Sequence, residues 1–152
     1  MITIVDHINI VVSDLERSVA FYREVLGMRE TKRAYLEGDW IEAIVGIRGV
    51  KADVVFMQPV DGGPRIELLK YHAPEGVAFP EHGQPNTLGL RHIAFQVKDM
   101  DAIVSRLEAA GVTLVGPPTA VPGGVVKHDA GRKRLCYFHD PDGVLLELAE
   151  YT

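Results

Sequence analysis

Two histidines and two glutamates recur at matching positions of a duplicated pattern. His7 stands near the start of an apolar segment, and His92 stands near the start of a similar segment 85 residues later. Glu67 and Glu147 each interrupt an apolar run near the end of the same pattern. Burying a carboxylate in an apolar strand is costly unless it is paired or bound to a cation. The recurrence therefore predicts one shared chemical role for these four side chains.

The residue types in this set suit a divalent metal ion. Two imidazoles and two carboxylates favour a borderline or hard ion, and the candidates are nickel, cobalt, zinc, manganese and iron. Two carboxylates neutralise such an ion, and four protein ligands leave two positions of an octahedral ion for water. A single histidine near a strand start is more often structural, and a single glutamate in a strand usually faces solvent. Because both recur in both copies, the sequence predicts a metal site formed by His7, Glu67, His92 and Glu147.

The bulk composition is that of an ordinary globular protein. The chain has 152 residues, enough for one domain or two small modules sharing a core, and 47% of them are hydrophobic. The formal net charge of −5 and the lack of a long basic run argue against nucleic acid as a partner. The single cysteine, Cys136, excludes an internal disulfide and predicts a buried thiol in a reducing compartment. No signal peptide and no apolar run of about 20 residues is present, so we expect a cytoplasmic protein without a membrane partner.

The first copy predicts the element order β-α-β-β-β. An Ile- and Val-rich strand over residues 2–12 precedes Ser13-Asp-Leu-Glu16, which we interpret as a capping box with Ser13 as the N-cap. Apolar residues then recur at helical spacing until Gly27, a natural helix stop. Trp40 and Glu42 are predicted to alternate on an inner strand, where either both face the site or Trp40 serves in packing. The last three strands of this order are predicted over residues 39–45, 52–57 and 65–71, and residues 28–37 are expected to form a loop with an additional strand.

The second copy repeats this plan after a linker rich in proline and glycine. The organisation is a first βαβββ module over residues 1–71, a linker over 72–87 and a second βαβββ module over 88–152. Both modules would form a single α+β domain. Strand alternation places each glutamate on the face opposite its immediate neighbours, away from the helix-covered core. The second module is expected to contain strands over 90–97, 134–138 and 144–150, short strands within 112–131, and a helix from Asp99 to Gly111.

The motifs of both copies resemble the vicinal oxygen chelate superfamily, which includes glyoxalase I, methylmalonyl-CoA epimerase, extradiol dioxygenases and bleomycin or fosfomycin resistance proteins. The resemblance covers nearly the whole chain and implies the glyoxalase/bleomycin resistance/dioxygenase fold, in which paired βαβββ modules form an open cup of sheet around a metal. It implies ligands on the first and last strand of each module, and a homodimer. It rests on Asp6-His-Ile8, Asp14 to Tyr22 with Leu26-Gly27, Ile66-Glu-Leu-Leu69, Leu90 to Phe95, and Tyr137 to Gly143 with Leu146-Glu-Leu148.

This resemblance leads to a functional hypothesis with two alternatives. The main hypothesis is a glyoxalase I- or epimerase-like enzyme whose small substrate binds one divalent ion through two adjacent oxygens. The ion would stabilise an enediolate or enolate, while Glu147, with Glu67 as its partner, moves the proton in an isomerisation or lyase reaction. One alternative is an iron-dependent extradiol-type dioxygenase, in which His128, His139 and Tyr137 would supply additional groups. The other is a non-catalytic protein that sequesters an antibiotic or metabolite.

Several neighbouring residues are expected to be structural. Asp6 and Asp14 are interpreted as turn and cap residues. Tyr35, Phe56 and Met57 are assigned to the core rather than to the lining of a pocket.

Overall fold

The computed structural model describes residues 1–81, 83–123 and 131–152. The chain divides into two compact units, Met1–Ala78 and Phe79–Thr152, and each unit contains one four-stranded mixed sheet. No helix in the described part of the chain is long and apolar enough to cross a bilayer. The two sheets, with few helices, confirm the predicted α+β class.

The first unit contains one four-stranded sheet and two short α-helices, which lie between its strands in the sequence. The sheet order is β1-β4-β3-β2, with β1 parallel to β4 and the other pairs antiparallel. Helix α1 packs against β3 and β4 and buries apolar side chains spaced for one helix face. Its elements are β1 (His7–Val11), α1 (Leu15–Ala20) with a π-helical continuation (Phe21–Val25), β2 (Arg29–Glu37), α2 (Asp39–Val45), β3 (Lys51–Gln58) and β4 (Arg65–Ala73).

The second unit repeats the strand pairing of the first. Its sheet order is β5-β8-β7-β6, with β5 parallel to β8 and the other pairs antiparallel. Met100 and Leu107 of α3 are fully buried, as are Phe138 and Leu148 of the sheet. The elements are β5 (His92–Val97), α3 (Met100–Ala109), β6 (Thr119–Ala120), β7 (Lys133–His139) and β8 (Leu145–Tyr151).

Residues 39–45 form helix α2, and the predicted strand there is wrong. A short run of Ile, Val and Ala suits a strand or a helix, and its ends decide between them. Gly38 precedes the helix with φ 97°, and Gly46 ends it in the left-handed conformation. Trp40 and Glu42 therefore do not alternate on an inner strand. Trp40 is exposed, and Glu42 Oε1 accepts a hydrogen bond of 2.8 Å from the Gly49 backbone N–H.

The N-cap of α1 is Asp14, which confirms the cap role predicted for Asp14, and the capping box with Ser13 as N-cap is wrong. The Asp14 carboxylate accepts a hydrogen bond of 3.0 Å from the Arg17 backbone N–H, and Ser13 Oγ accepts one of 2.9 Å from the Arg17 guanidinium. An anionic cap also suits the positive end of the helix dipole. Asp99 caps α3 as predicted, with a bond of 2.9 Å from the Ala102 N–H.

The first strand is shorter than the sequence pattern predicts. It begins at His7 rather than at residue 2, because its parallel partner β4 begins only at Arg65 after the turn that ends β3. Cys136 is buried as predicted, and burial raises the pKa of its thiol. Its Sγ lies 3.4 Å from the carbonyl oxygen of Gly116.

Candidate metal centre

Strands β1 and β4 bring the first predicted histidine and glutamate together. In their parallel register, His7 lies opposite Arg65 and Asn9 lies opposite Glu67. Alternation then places the side chains of His7, Asn9 and Glu67 on one face of the sheet. His7 Nε2 lies 3.5 Å from Glu67 Oε2, which is longer than an ordinary hydrogen bond. These two potential metal-ligand atoms therefore face each other without a hydrogen bond between them.

Strands β5 and β8 repeat this arrangement in the second unit. His92 lies opposite Leu145, and Ala94 lies opposite Glu147. His92 Nε2 lies 3.7 Å from Glu147 Oε2. The Glu147 side chain is only 8% exposed, against 18% for Glu67, so the second carboxylate is the more deeply buried.

The spacing of each pair fits two adjacent ligands of one metal ion. Ligand atoms that each lie about 2.1 Å from an ion are separated by roughly 3.0–3.4 Å in octahedral or tetrahedral geometry. The observed separations of 3.5 and 3.7 Å exceed this range by only a few tenths of an ångström. Within the described residues, no three or more His, Cys, Asp or Glu side chains form a group placed to hold a metal. The structure thus shows two pairs, each within its own unit.

A polar network surrounds the first pair. Asp6 Oδ2 lies 2.7 Å from His7 Nδ1 and also accepts a hydrogen bond from the Arg65 guanidinium. The hydrogen bond with His7 and then that with Arg65 lower the pKa of Asp6. Asn9 Nδ2 donates a hydrogen bond of 2.8 Å to Glu67 Oε2. Asp6, expected to be a turn residue, is therefore a direct partner of His7.

An aromatic ring lies beside each pair. Phe56 lies opposite Glu67 in the sheet, and its ring meets His7 edge-on at 5.8 Å. Tyr137 holds the equivalent place opposite Glu147, with its ring 5.2 Å from His92. Burial raises the pKa of Tyr137, and the charge of Glu147 and a hydrogen bond to it raise that pKa further.

The other residues assigned to the core differ in their positions. Met57 is fully buried, as predicted for a core residue, whereas the Tyr35 side chain is exposed. Phe56 is only partly buried and contacts His7, so it belongs to the site face as well as to the packing beneath α2.

Helix α2 covers the apolar part of the face that carries Glu67. Ile41 of α2 packs in a cluster with Val54 and Leu69, and Phe56 packs against that cluster. Val54 lies directly opposite Leu69, one step along the same face from the Phe56 and Glu67 pair. The expectation that helices cover only the opposite face is therefore wrong for the first unit. Its site face has a polar part at His7 and an apolar wall beneath α2.

The sequence reading missed Asn9 and Arg65. Asn9 had a usable signal, because a polar side chain two residues after His7 in an apolar strand shares its face. Arg65 had none, since its approach to Asp6 depends on the register between distant strands. His139, one of the residues considered for a dioxygenase, lies with Nε2 3.1 Å from the Gly83 carbonyl oxygen. His128 lies outside the described residues.

The chain matches one family model and is similar to several known proteins. The family model for the glyoxalase/bleomycin resistance protein/dioxygenase superfamily matches residues 4–148. The chain is 34% identical to the uncharacterized protein YaeR of Escherichia coli, over 96% of this chain and 95% of that protein. It is 31% identical to a lactoylglutathione lyase of Pseudomonas aeruginosa, over 95% of this chain and 81% of the lyase. It is 29% identical to a 2-epi-5-epi-valiolone epimerase of an Actinomyces species, over 95% and 77%.

Solved structures show the same fold. A glyoxalase family protein of Bacillus cereus superposes with a TM-score of 0.84 at 32% identity, covering 99% of this chain and 95% of that one. The fosfomycin resistance protein FosX of Listeria monocytogenes, solved with Mn(II) and a sulfate ion, superposes with a TM-score of 0.62 at 25% identity. That match covers 100% of this chain and 95% of FosX.

Proposed function

Because the chain belongs to the glyoxalase/bleomycin resistance protein/dioxygenase superfamily, we propose that it is a divalent-metal-dependent enzyme of the glyoxalase I or epimerase type. The observation that carries this proposal is the repeated pairing of His Nε2 with Glu Oε2 at 3.5 and 3.7 Å. The similarity to a lactoylglutathione lyase and to an epimerase supports the reaction class. The Mn(II) in the FosX structure supports a metal-binding role.

The proposed ligands are His7, Glu67, His92 and Glu147, which together bind one ion of nickel, cobalt, zinc, manganese or iron. When bound, such an ion supplies Lewis-acid stabilisation of negative charge on adjacent substrate oxygens. The imidazoles provide neutral nitrogen ligands, and the two carboxylates balance the charge of the ion. The apolar wall beneath α2 would contact the part of a small substrate that carries no oxygen.

Glu147 is the proposed group that moves the substrate proton, with Glu67 as its partner. Glu67 Oε2 is held by the amide of Asn9 at 2.8 Å, which favours a fixed ligand role. On one side Glu147 lies opposite Ala94, whose methyl side chain donates no hydrogen bond, and on the other it lies opposite Tyr137, whose hydroxyl interacts with it. Glu147 is also buried, and a carboxylate shielded from water is a more effective general base. The proton is taken from the carbon next to a carbonyl. It is returned to a neighbouring carbon in an isomerisation, or to the opposite face of the same carbon in an epimerisation.

A turnover screen tests this proposal. The protein, loaded in turn with each candidate ion, is mixed in D₂O with 2-oxo thiohemiacetals or acyl-CoA esters, and deuterium incorporation is followed by mass spectrometry. We expect incorporation that needs the ion and is abolished in Glu147→Gln. A Glu108→Gln variant, altered at an exposed residue of α3, is the matched control and should behave as the wild type.

The screen also includes catechols, with oxygen consumption measured by an electrode, and two results would overturn the proposal in different directions. Oxygen consumption with catechols, seen with ferrous iron alone, would identify a dioxygenase. Tight binding of a screened compound without turnover, with every ion tested, would identify a sequestering protein.

We further propose that the protein is a homodimer. The outer strands are β1 and β2 in one sheet and β5 and β6 in the other, and exposed sheet edges favour association. Sedimentation at micromolar concentration should show a dimer, and a monomer alone would contradict this proposal.

Complementation between two inactive variants identifies which units share a metal site. Chains carrying His7→Ala are unfolded and refolded together with chains carrying His92→Ala. If a site joins units of different chains, one site of each mixed dimer is intact and metal binding returns in part. If a site joins the two units of one chain, every site lacks a histidine and no binding returns.

A further inference from the structure

We propose that Asp6 and Asn9, which lie outside the ligand set, make the first histidine–glutamate pair the anchoring half of the metal site. By anchoring half we mean the pair whose geometry is fixed before the ion arrives. Asp6 and Asn9 are positioning residues, because they act through His7 and Glu67. The inference rests on the proposed function and adds a division of labour between the two pairs.

Asp6 fixes the ring of His7. Its Oδ2 lies 2.7 Å from Nδ1, so Nε2 is the ring nitrogen left facing Glu67 Oε2 at 3.5 Å. A ligand histidine that donates its other N–H to a carboxylate is fixed in tautomer and orientation and is a more basic ligand. The ring therefore presents its free nitrogen in the direction a metal requires.

Arg65 fixes Asp6 in turn. Its guanidinium donates to Asp6 Oδ2, and its backbone N–H donates to the Asp6 carbonyl oxygen at 3.3 Å. The same guanidinium lies 4.8 Å above the ring of Phe56, which restricts it further. The ring of Phe56 also meets His7, so the network closes on itself.

Asn9 fixes the carboxylate. Its amide donates to Glu67 Oε2 at 2.8 Å, and this oxygen is also the one nearest His7 Nε2. A carboxylate offers about four lone-pair positions, so one bond from Asn9 leaves several for a metal. The bond removes rotational freedom that metal binding would otherwise have to restrict.

At the equivalent described positions of the second unit, the residue types differ from these three supports. Arg91 precedes His92 where Asp6 precedes His7, and a guanidinium has no acceptor for an imidazole N–H. Ala94 lies opposite Glu147 where Asn9 lies opposite Glu67, and Leu145 lies opposite His92 where Arg65 lies opposite His7. In the second pair, Glu147 is buried opposite Tyr137, while His92 is about as exposed as His7. The anchoring half thus binds the ion in a preset geometry, and Glu147 keeps the freedom to exchange a proton.

The test measures Co(II) affinity by competition with a chelator, together with the visible absorption spectrum of the bound ion. Asp6→Ala and Asn9→Ala should each weaken binding about 10- to 100-fold, in line with the usual effect of removing such partners. They should also change the absorption bands, which report ligand geometry. Asp6→Asn, which keeps an acceptor oxygen, should restore part of the affinity. The control is Glu75→Ala, an exposed carboxylate of the same unit.

A second measurement compares the two pairs directly. With the second pair removed (His92→Ala with Glu147→Ala), Co(II) should still bind weakly, at least tenfold more tightly than with the first pair removed (His7→Ala with Glu67→Ala). Thermal melts of the metal-free variants show whether each remains folded.

The outcomes separate this inference from the proposed function. If the wild type binds Co(II) while Asp6→Ala and Asn9→Ala bind it within threefold of the wild type, the inference is wrong and the metal site stands. If the wild type binds no ion, both the site and the inference are wrong.

Discussion

The two units place a histidine and a glutamate through the same strand register, but they support the pair by different means. In the first unit, Asp6, Asn9 and Arg65 surround a partly exposed pair with hydrogen bonds. In the second unit, Glu147 is buried and its near neighbours are Ala94 and Tyr137. Hydrogen bonds hold the first carboxylate, whereas packing holds the buried Glu147 carboxylate; the two histidines are about equally exposed, at 39% and 37%.

The comparison teaches that a duplicated backbone preserves the positions of ligands while their surroundings diverge. Cross-strand neighbours of a ligand can change without moving the ligand itself, because the ladder of backbone hydrogen bonds fixes the register. Under our proposal, divergence of the neighbours would allow one half to bind the ion firmly and the other to react.

The largest expected effect distinguishes the two glutamates. At saturating metal, Glu147→Gln should lower turnover about 10²- to 10⁴-fold, the usual contribution of a general base. Glu67→Gln should chiefly weaken metal binding, so that added metal restores much of its turnover. Steady-state kinetics over a metal titration provides the measurement. Recovery of Glu147→Gln by metal, with no recovery of Glu67→Gln, would reverse the assigned roles.

Metal binding should stabilise the folded chain in a way that needs both pairs. At 100 times its dissociation constant, an ion that binds only the folded state adds about 2.7 kcal/mol to the free energy of unfolding. For a chain of this size, the melting temperature rises by roughly 5–10 °C. Thermal melts of chelator-treated protein with each ion give this shift. It should shrink from pH 7.5 to pH 5, because protons compete for the ligand atoms. An equal shift in a variant lacking either pair would contradict the account.

The aromatic residues beside the two pairs, Phe56 and Tyr137, allow reciprocal substitutions that compare the two units. Tyr137→Phe removes a hydrogen bond to Glu147, and the loss of one such bond corresponds to about a tenfold change. We expect turnover to fall by about that factor while Co(II) affinity stays within threefold. Phe56→Tyr, the reciprocal change at the equivalent place, should affect turnover less. Turnover of Tyr137→Phe within threefold of the wild type, seen in the same kinetic assay, would show that Tyr137 acts only by packing.

The smallest expected effect concerns how each helix is attached to its sheet. Glu150 accepts hydrogen bonds from Arg134 at 2.7 Å and from the Met100 backbone N–H at 2.8 Å. The residue equivalent to Glu150 in the first copy is Lys70. Arg134 and then the Met100 N–H lower the pKa of Glu150 from its ordinary 4.5. A lowered carboxylate pKa in the folded state adds stability above pH 4.5, and this contribution is lost as the pH falls below that value.

This attachment is tested by Glu150→Gln. Urea unfolding at pH 7 should show a lower free energy of unfolding for the variant than for the wild type. At pH 3.5 the difference should narrow, because the wild-type carboxylate is then increasingly protonated. A difference of the same size at both pH values would mean that the charge of Glu150 is not its source.

The sequence supported predictions that depend on local pattern and repetition. The duplicated β-α-β-β-β plan, the α+β class and the cap at Asp99 followed from apolar periodicity and from residues at element ends. The predicted strand at residues 39–45 was wrong because a short Ile and Val run fits both periods, and the flanking glycines decided for a helix. The hydrogen bonds from Arg65 to Asp6 and from Asn9 to Glu67 escaped prediction, because each joins residues about 60 positions apart through strand pairing.

We propose that the two histidine–glutamate pairs together bind one divalent ion. The most direct measurement of this binding is the metal content per chain, by elemental analysis, after chelator treatment, reloading and dialysis. We predict one ion per chain in the wild type, and far less than one when any of His7, Glu67, His92 or Glu147 is changed to Ala. Two ions per chain, or one ion retained after either pair is removed, would contradict the claim.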